Sequence, residues 1–465
     1  MARPKISADL HLFMNGQNVG CLTRTSVGQL RFEYGDEWLH SELRRPLSLS
    51  MPLSQKVYIG DVVENFFDNL LPDSQPIRSR IQTRFGAKSN RCFDLLWHVG
   101  RDCVGALQLL PENSAAIDVR RIDAEELTDT QIAEVLRNYA TMPLGMKGDD
   151  DFRISIAGAQ EKTALLSLNN KWHRPLGVTP TSHIFKLPIG KIAHSGMDLT
   201  DSVENEWLCH LILKAYGIPV ANAEIATFED VKVLVVERFD RRWAEDRSWL
   251  IRLPQEDMCQ ALNISPALKY ESDGGPGVER IMTLLLGSAN ALADRRLFLK
   301  TQVLFWFLGA IDGHAKNFSI FLLPGGSFQL APIYDVMSAY PLVAKRQVES
   351  QKMKMAMAVR GKSTHYQWEK IQLRHWLSTA RICGFPVDEM ESIIKDLLEK
   401  TDFVIENVKG MLPATFPEEV AQPISLPCLV RTSTTIRSGR GSYLHSLPKR
   451  ILRCRNRQNH RFQKS

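Results

Sequence analysis

An aspartate and an asparagine five residues apart, Asp312 and Asn317, have side chains that could together support phosphoryl transfer. A carboxylate can accept the proton of an attacking hydroxyl group, while a nearby amide oxygen can hold a metal ion on phosphate groups. Helix-like apolar residues precede this pair and strand-like apolar residues follow it. The segment therefore predicts a catalytic loop, although the spacing alone is weak evidence because it recurs by chance in a chain of 465 residues.

A second aspartate, Asp335, lies eighteen residues after Asn317 and follows two strand-like segments, Phe318–Leu323 and Phe328–Ala331. The Pro-Gly-Gly between these segments predicts a hairpin, which would return Asp335 to the loop. There its carboxylate could bind Mg²⁺, as the metal-binding aspartate of protein kinases does. The two aspartates and the asparagine thus predict one metal-assisted site.

Two charged residues upstream fit the same chemistry. Lys186 lies in the strand-like segment His183–Leu187, and a lysine in this position can bind phosphates as the strand lysine of protein kinases does. Glu206 follows twenty residues later on a helix predicted over Val203–Tyr216. We expect Glu206 to pair with Lys186, with Glu204 as the alternative.

Two further segments fit a nucleotide site. Residues 155–162 form a turn rich in small side chains, where backbone N–H groups can approach phosphates closely. Residues 235–240 end a predicted strand where a hinge between two lobes belongs, so their backbone could pair with an adenine edge while Phe239 packs on the ring. Each of these residues also fits an ordinary structural role when taken alone, and it is their order along the chain that predicts phosphotransfer.

The secondary structure elements that must hold these residues divide the chain into regions with different patterns of apolar residues. Residues 1–110 predict a small α+β domain, and residues 111–150 a helical connector. Strand-like segments dominate residues 151–250, and helical patterns dominate residues 251–420. The helices predicted in that last region are Glu256–Ala261, Val278–Leu285, Arg296–Leu308, Trp368–Arg381 and Val387–Lys400. We therefore expect an α+β fold with a β-rich ATP-binding lobe followed by a helical catalytic lobe.

The net charge of +6 comes from the C-terminal end of the chain. Residues 421–465 contain ten Lys or Arg and no Asp or Glu, so the preceding residues carry a small negative balance. A nucleic-acid-binding surface on the folded body therefore does not follow from the basic pI. The end is either the product of a frameshift or a basic arm that contacts DNA phosphates, and both interpretations predict disorder in isolation.

Composition places the chain among soluble globular proteins, with 44% hydrophobic and 24% charged residues. The longest apolar runs are shorter than the ~18 residues that a membrane span needs, and residues 1–20 show no signal-peptide core. The eight cysteines form no CxxC pair. We expect a cytoplasmic protein with free thiols and no membrane partner.

Several longer motifs resemble the HipA family of toxin kinases. These are residues 152–162 (FRISIAGAQEK), 183–188 (HIFKLP), 236–243 (VERFDRRW), 252–260 (RLPQEDMCQ), 269–276 (KYESDGGP), 312–317 (DGHAKN) and 66–73 (FFDNLLPD). The similarity extends from about residue 8 to about residue 419. It implies a bilobal serine/threonine kinase fold related to the phosphoinositide kinases, with a family-specific N-terminal domain.

The resemblance also implies a role for each matching site residue. Asp312 would be the catalytic base, Asn317 and Asp335 would hold Mg²⁺, and Ser155 would be an autophosphorylated serine. The residues implied in ATP binding are Ala157, Gly158, Ala159, Gln160, Glu161, Lys162, Lys186, Glu237, Arg238, Phe239, His314, Lys316, Asn317, Tyr334 and Asp335. A phosphate on Ser155 should expel the loop from the ATP site because like charges repel, and this would inactivate the enzyme.

Partners are implied by the resemblance alone. The family joins a helix-turn-helix antitoxin on operator DNA as a co-repressor, and its protein substrate is glutamyl-tRNA synthetase. Arg381 matches a basic position that touches DNA in such complexes, whereas the next basic position of that pattern is Gly384 here. Two other functions remain open from the residues: a catalytically silent module that only strengthens repression, and a small-molecule phosphotransferase of the aminoglycoside type.

Overall fold

A computed structural model describes residues 9–111, 118–138, 160, 162–192 and 196–425. We call residues 9–111 the N-terminal domain, the elements of residues 118–237 the β lobe and those of residues 238–425 the helical lobe. Within the described residues, no helix combines the length and apolarity that crossing a membrane requires.

The N-terminal domain is an antiparallel sheet covered by helices. Its elements are β1 (Leu10–Met14), β2 (Gln17–Arg24), β3 (Leu30–Tyr34), α1 (Asp36–His40), β4 (Val57–Ile59), α2 (Asp61–Asp68), α3 (Gln75–Phe85), α4 (Cys92–Val99) and β5 (Leu107–Pro111). The strand order is β4-β3-β2-β1-β5. Asn15 and Gly16 both have positive φ angles, 47° and 84°, as a tight turn between paired strands requires. β1 and β2 therefore form a tight antiparallel hairpin.

The core of this domain lies between the sheet and helix α2. Alternate residues of β1 are buried, as a strand with one covered face requires. Phe67 of α2 packs its ring edge against Phe32 of β3 with centroids 6.5 Å apart, and Phe66 lies beside it. This packing anchors the C-terminal half of α2 to the sheet. The chain that follows α2 runs towards the β lobe and the helical lobe.

The β lobe is built on a six-stranded sheet in the order β12-β13-β9-β7-β8-β6. Its elements are β6 (Ala124–Glu126), α5 (Asp129–Arg137), β7 (Lys162–Leu168), β8 (Lys171–Pro175), β9 (His183–Lys186), β10 (Gly190–Ile192), β11 (Met197–Leu199), α6 (Ser202–Ala215), β12 (Ala223–Phe228) and β13 (Val231–Glu237). Strand β9 lies between β7 and β13, so that its last residue, Lys186, stands opposite both Lys162 and Leu234.

The described part of the predicted connector is integrated into the β lobe. Strand β6 extends the sheet by pairing with β8. Helix α5 begins at a capping box between Thr128 and Gln131, and it buries Ile132 and Leu136 against Phe185 of β9. These residues therefore belong physically to the lobe that follows them rather than to a separate linker.

The helical lobe surrounds the long helix α9. Its elements are β14 (Arg241–Trp243), β15 (Leu250–Arg252), β16 (Gln255–Asp257), α7 (Met258–Ala261), α8 (Val278–Leu284), α9 (Ala291–Leu308), β17 (Ser319–Leu322), β18 (Phe328–Leu330), α10 (Tyr340–Ala344), β19 (Lys354–Arg360), β20 (Thr364–Gln367), α11 (Leu373–Ile382) and α12 (Val387–Met411). Helix α9 is buried along most of its length and ends at Gly309, whose φ of 60° turns the chain out of the helix.

The structure corrects the predicted helix Glu256–Ala261 and confirms the predicted hairpin. Only Met258–Ala261 is helical, because Gln255–Asp257 pairs with β17 as a strand. The hairpin consists of β17 and β18, which pair in antiparallel register. The short three-stranded sheet β16-β17-β18 therefore places Asp257 directly beside the strand that leaves the predicted catalytic loop.

The C-terminal elements extend further than predicted. Helix α12 continues to Met411, eleven residues past its expected end at Lys400. Residues 418–425 are also helical, and Ile424 is fully buried in the core of the helical lobe. The predicted start of the basic tail at residue 421 therefore lies within a packed segment. Residues 426–465, the rest of that tail, lie outside the described residues.

The N-terminal domain contacts both lobes through buried polar groups. The Asp102 carboxylate accepts hydrogen bonds from Arg241 of β14 at 2.8 Å and from the backbone N–H of Thr181 in the β lobe at 3.1 Å. Ser48 donates to the Glu256 carboxyl group at 2.5 Å, and the backbone N–H of Leu49 donates to it at 2.8 Å. Polar and charged groups this deeply buried need such partners, so these hydrogen bonds join the N-terminal domain to both lobes.

Candidate active site

A cleft of about 460 Å³ opens where the β lobe, the helical lobe and the N-terminal domain meet. Its lining combines apolar side chains of β9 and β13 with charged residues of the helical lobe. The predicted site residues on this lining are Gln160, Lys162, Lys186, Glu237, Arg238, Phe239, Asp312, His314, Lys316, Asn317, Tyr334 and Asp335. The structure thus brings together residues that lie up to 175 positions apart along the chain.

Lys186 occupies the centre of the cleft. Its Nζ donates to Glu206 Oε1 of helix α6 at 2.6 Å and to Asp335 Oδ1 at 2.7 Å. Burial lowers the pKa of Lys186, but the two carboxylates outweigh burial and hold the pKa above its usual value. The predicted pairing with Glu206 is confirmed, whereas the alternative, Glu204, binds Lys232 instead.

Asp335 and Asn317 form the second part of the cleft. The predicted hairpin returns Asp335 to the loop, where its Oδ2 accepts a hydrogen bond from Asn317 Nδ2 at 3.3 Å. Burial raises the pKa of Asp335, but Lys186 and Lys162 outweigh burial and lower the pKa, so the carboxylate stays ionised. Its φ of 61° places the backbone in the left-handed region, which aspartate tolerates better than most residues.

This pair of side chains fits a magnesium ion better than a metal with an all-protein cage. Within the described part of the chain, no three His, Cys, Asp or Glu side chains gather into a metal-binding group. Mg²⁺ typically takes one or two protein oxygen ligands and completes its shell with substrate phosphates and water. An ionised Asp335 beside the Asn317 amide supplies that number of ligands.

Asp312 lies at the exposed mouth of the cleft, four residues after the end of α9. Its Oδ1 accepts a hydrogen bond from Tyr270 Oη at 2.7 Å. The next residue, Gly313, packs against helix α9 so closely that a Cβ would lie 2.5 Å from the Phe305 ring. The loop therefore crosses the helix end at close range, which fixes where the Asp312 side chain leaves the backbone.

The other residues of the loop hold it in place. The backbone N–H of His314 donates to Asn317 Oδ1 at 3.1 Å, and the His314 ring packs edge-on against Tyr270. Lys316 extends its ammonium group to the N-terminal domain, with Nζ 2.9 Å from Asn69 Oδ1. Tyr334 Oη donates to the backbone carbonyl of Lys316 at 2.7 Å. Hydrogen bonds within the loop, to the N-terminal domain and to Tyr334 thus hold the loop of residues 312–317 in place.

The predicted hinge residues contribute to the cleft in different ways. Phe239 lies on the lining with its ring centroid 5.5 Å from that of Tyr334 and the two rings inclined by 34°. Glu237 accepts a hydrogen bond from Asn222 Nδ2 at 2.8 Å. The guanidinium group of Arg238 turns away from the cleft, since its Nε donates to Asp240 at 2.9 Å and its Nη1 lies 3.3 Å from Asp102. Arg238 therefore supports the hinge with its side chain.

Part of the predicted phosphate loop can be placed. Gln160 donates from its amide to the Leu187 carbonyl at 2.8 Å. Lys162 lies opposite Lys186 on the neighbouring strand, and burial together with Lys186 lowers its pKa to about 8, although Asp335 raises it. Ser155, Ala157, Gly158, Ala159 and Glu161 lie outside the described residues. Arg381, the predicted DNA contact, is exposed on helix α11, away from the cleft.

Sequence reasoning missed several residues that the structure places at this site. Tyr270 bonds to Asp312, and Asn69 and Asp73 of the N-terminal domain contact Lys316. Asp257 lies 3.8 Å from Lys316, and burial raises its pKa to about 6. Tyr270, Asn69 and Asp73 occur in the motifs of residues 269–276 and 66–73, so the motifs could have suggested them. Their contacts with the loop of residues 312–317 depend on packing between distant segments, which no local pattern encodes.

The arrangement as a whole suits a nucleoside triphosphate. The apolar side chains around Phe239 can contact an aromatic base, the lysines of the cleft can bind phosphates, and the carboxylate–amide pair can hold a metal ion on them. Asp312 stands at the open end, where a hydroxyl group of a second molecule can approach. The geometry therefore supports transfer of a phosphoryl group across the mouth of the cleft.

Comparisons with known proteins agree with this geometry. Residues 154–404 match the family model described as "HipA-like C-terminal domain", and residues 10–110 match the one described as "HipA N-terminal domain". The curated protein "Putative kinase Y4mE" of Sinorhizobium fredii is 31% identical over 405 residues, which cover 86% of this chain and 91% of that protein.

Two matches from Shewanella oneidensis, one in sequence and one in structure, extend the comparison. The curated "Serine/threonine-protein kinase toxin HipA" is 28% identical over 334 residues, covering 67% of this chain and 72% of that protein. A solved complex of HipA, HipB and operator DNA has a chain that matches with a TM-score of 0.75 at 23% identity, covering 92% of this chain and 99% of that chain. The second comparison shows that the two chains share a fold.

Proposed function

The chain belongs to the HipA family of serine/threonine kinases, and on that premise we propose that it is a toxin that transfers the γ-phosphoryl group of Mg-ATP to a serine or threonine of a protein. The observation that carries this proposal is the convergence of Lys186, Asn317, Asp335 and Asp312 on one cleft. Kinase chemistry requires all four functions at once: a phosphate clamp, two metal ligands and an acceptor for the proton of the hydroxyl group.

Each residue has a defined task in the transfer. Lys186, oriented by Glu206, binds phosphate oxygens, and Asp335 and Asn317 hold the magnesium ion. When bound, the ion neutralises charge on the phosphates. Asp312 orients the attacking hydroxyl group and accepts its proton, because its carboxylate faces the open end of the cleft. The hinge backbone near Phe239 binds the adenine ring.

We propose that the loop of residues 155–162 binds the ATP phosphates and is the point of self-inactivation. Phosphorylation of Ser155 adds about two negative charges to a segment that must approach the ATP phosphates. Like charges then repel the loop from the site. This regulation is supported by the match of residues 152–162 to the family motif.

The proposed partners follow from the relatives. One relative is named a toxin, and the solved structure with the same fold is a complex with HipB and operator DNA. We infer a helix-turn-helix antitoxin as the partner of this chain and co-repression on operator DNA as its second activity. Glutamyl-tRNA synthetase is the proposed protein substrate, whose phosphorylation would stop translation.

A direct test measures phosphorylation by mass. The purified protein is incubated with Mg-ATP and glutamyl-tRNA synthetase, and the intact mass of both proteins is recorded. We expect a gain of one phosphate on each, lost in Asp312→Asn but retained in Asp246→Asn, a matched change in an exposed turn of the helical lobe. No gain on either protein, starting from unphosphorylated material, would instead favour a silent binding module.

A further inference from the structure

A loop of the N-terminal domain forms part of the wall of the phosphotransfer cleft. Helix α2 ends at Asp68, and the chain that follows it places Asn69, Leu70 and Asp73 on the cleft lining. These residues are more than 230 positions away from the catalytic loop in sequence. The N-terminal domain therefore contributes side chains to the site and is more than a neighbouring module.

Asp73 holds a lysine in the middle of the catalytic loop. Its Oδ1 lies 3.0 Å from Lys316 Nζ, and the same ammonium group donates to the Oδ1 and the backbone carbonyl of Asn69 at 2.9 and 3.2 Å. The Lys316 side chain is 4% exposed. Lys316 lies between Asp312 and Asn317 in sequence, so a fixed Lys316 restricts the positions that both can take.

Asp73 also holds the segment that packs against the other side of this loop. Its Oδ2 accepts a hydrogen bond from Lys269 Nζ at 2.9 Å. The backbone carbonyl of Lys269 accepts from the N–H of Ala315 in the catalytic loop at 3.2 Å, and Tyr270 donates to Asp312. One carboxylate thus binds the loop directly and also binds the segment that orients the proton acceptor.

The charges around Asp73 favour this arrangement. Burial raises its pKa, but the ammonium groups of Lys316 and Lys269 outweigh burial and hold the pKa below its ordinary value. The carboxylate is therefore ionised at neutral pH. The contact with Lys269 is a charge-assisted hydrogen bond, which is about twice as strong as a neutral one, and the contact with Lys316 is a buried ion pair. Both contacts are well suited to fixing a loop.

We propose that Asp73 is a positioning residue for phosphotransfer, which sets the catalytic loop through Lys316 and Lys269 and thereby makes kinase activity depend on the docked N-terminal domain. The proposal rests on the proposed kinase function. Asp73 acts through the two lysines rather than on the reacting atoms. A small displacement of a catalytic group can lower the rate by up to ~100-fold, so loss of the contacts made by Asp73 should lower the rate of phosphotransfer.

The test compares steady-state kinetics of the full chain with Asp73→Asn. This change keeps the shape of the side chain and removes its charge. We expect kcat to fall by about 10- to 100-fold while KM for ATP changes little, because the lysine Lys186 that would bind the phosphates is untouched. The control is Asp61→Asn, the same change at an exposed residue of α2, which should retain the wild-type kcat.

A double-mutant cycle separates positioning from a general loss of folding. If Asp73 acts through Lys316 and Lys269, adding Asp73→Asn to a variant that carries both Lys316→Met and Lys269→Met should leave kcat nearly unchanged. Additive losses would overturn the proposal, as would a wild-type kcat in Asp73→Asn. If Asp73→Asn does not fold, the milder Asp73→Glu, which shifts the charge by one methylene, is measured in the same cycle with the same two criteria.

The outcomes also separate this inference from the proposed function. An inactive wild-type protein that gains no phosphate would contradict the kinase function itself. An active wild-type protein together with a fully active Asp73→Asn would leave the kinase function standing and refute the role of Asp73.

Discussion

The hydrogen bond from Tyr270 to Asp312 leads to a testable prediction about the proposed proton acceptor. Replacing Tyr270 with Phe removes one hydroxyl group, 2.7 Å from Asp312 Oδ1, and leaves the ring that packs on His314. Without this donor, the Asp312 carboxylate can rotate at the exposed mouth of the cleft. It would then present its free oxygen to the incoming hydroxyl group less often, so we expect a slower chemical step.

The size of the effect follows from the exposure of the pair. A hydrogen bond to a charged group contributes about 1.5–3 kcal/mol. Asp312 is exposed, so water can replace part of the lost interaction and the lower end of this range applies. About 1.4 kcal/mol corresponds to a tenfold change in rate, so kcat of Tyr270→Phe should fall about tenfold. Tyr270 is not part of the cavity lining, and KM for ATP should stay within about twofold.

The assay is steady-state phosphorylation of the protein substrate at saturating ATP. The control is Tyr366→Phe, which removes the hydroxyl group of a half-buried tyrosine on strand β20 and should not change kcat. An unchanged kcat in Tyr270→Phe would show that Asp312 is oriented without this contact. A raised kcat would show that the Tyr270 hydroxyl competes with the substrate for Asp312, and either result refutes the reasoning.

Two further predictions concern the contacts that join the N-terminal domain to the lobes. Asp102→Asn should lower the free energy of unfolding in urea by about 3–5 kcal/mol at pH 7, because it leaves buried arginines such as Arg241 short of a counter-charge. Arg241 and its neighbours hold the pKa of Asp102 below its usual value despite burial. The difference in the free energy of unfolding between Asp102→Asn and wild type should therefore become smaller as the pH falls. An equal difference at all pH values would contradict this prediction. Burial raises the pKa of Glu256 to about 8, so the folded state binds an extra proton between pH 4.5 and that value. Wild-type stability should therefore fall as the pH rises through this window, and Glu256→Gln should fall less steeply; parallel curves would refute the assignment.

The sequence could predict those parts of the site that depend on order and local pattern. The Pro-Gly-Gly between two apolar runs predicts the hairpin, and the hairpin brings Asp335 back to Asn317. The place of Glu206 on the helix that follows Lys186 likewise predicts this residue as its partner, with Glu204 as the alternative, and the structure shows the Glu206 pairing. These inferences succeed because each depends on one turn or on one helix face.

The remaining parts depend on docking between distant segments. Glu256 was expected to begin a helix, but pairing with β17, more than sixty residues later, makes it part of a strand. The turn of Arg238 away from the cleft depends on Asp102, which lies 136 positions earlier. The contribution of Asp73 to the catalytic loop has the same origin, since only the packing of one domain on another brings it there.

The backbone of Asp335 limits how its role can be examined. Its φ of 61° is favourable for asparagine and aspartate, but it costs other side chains roughly 1–2 kcal/mol. A valine or glutamate at this position would therefore strain the chain in addition to altering the oxygen ligand. Asparagine keeps the same backbone preference and nearly the same shape as aspartate. A loss of kinase activity in Asp335→Asn would therefore reflect the lost charge alone. The side chain at this position must tolerate a positive φ angle and, in the proposed function, must also supply an oxygen ligand to a metal ion. Few side chains meet both requirements.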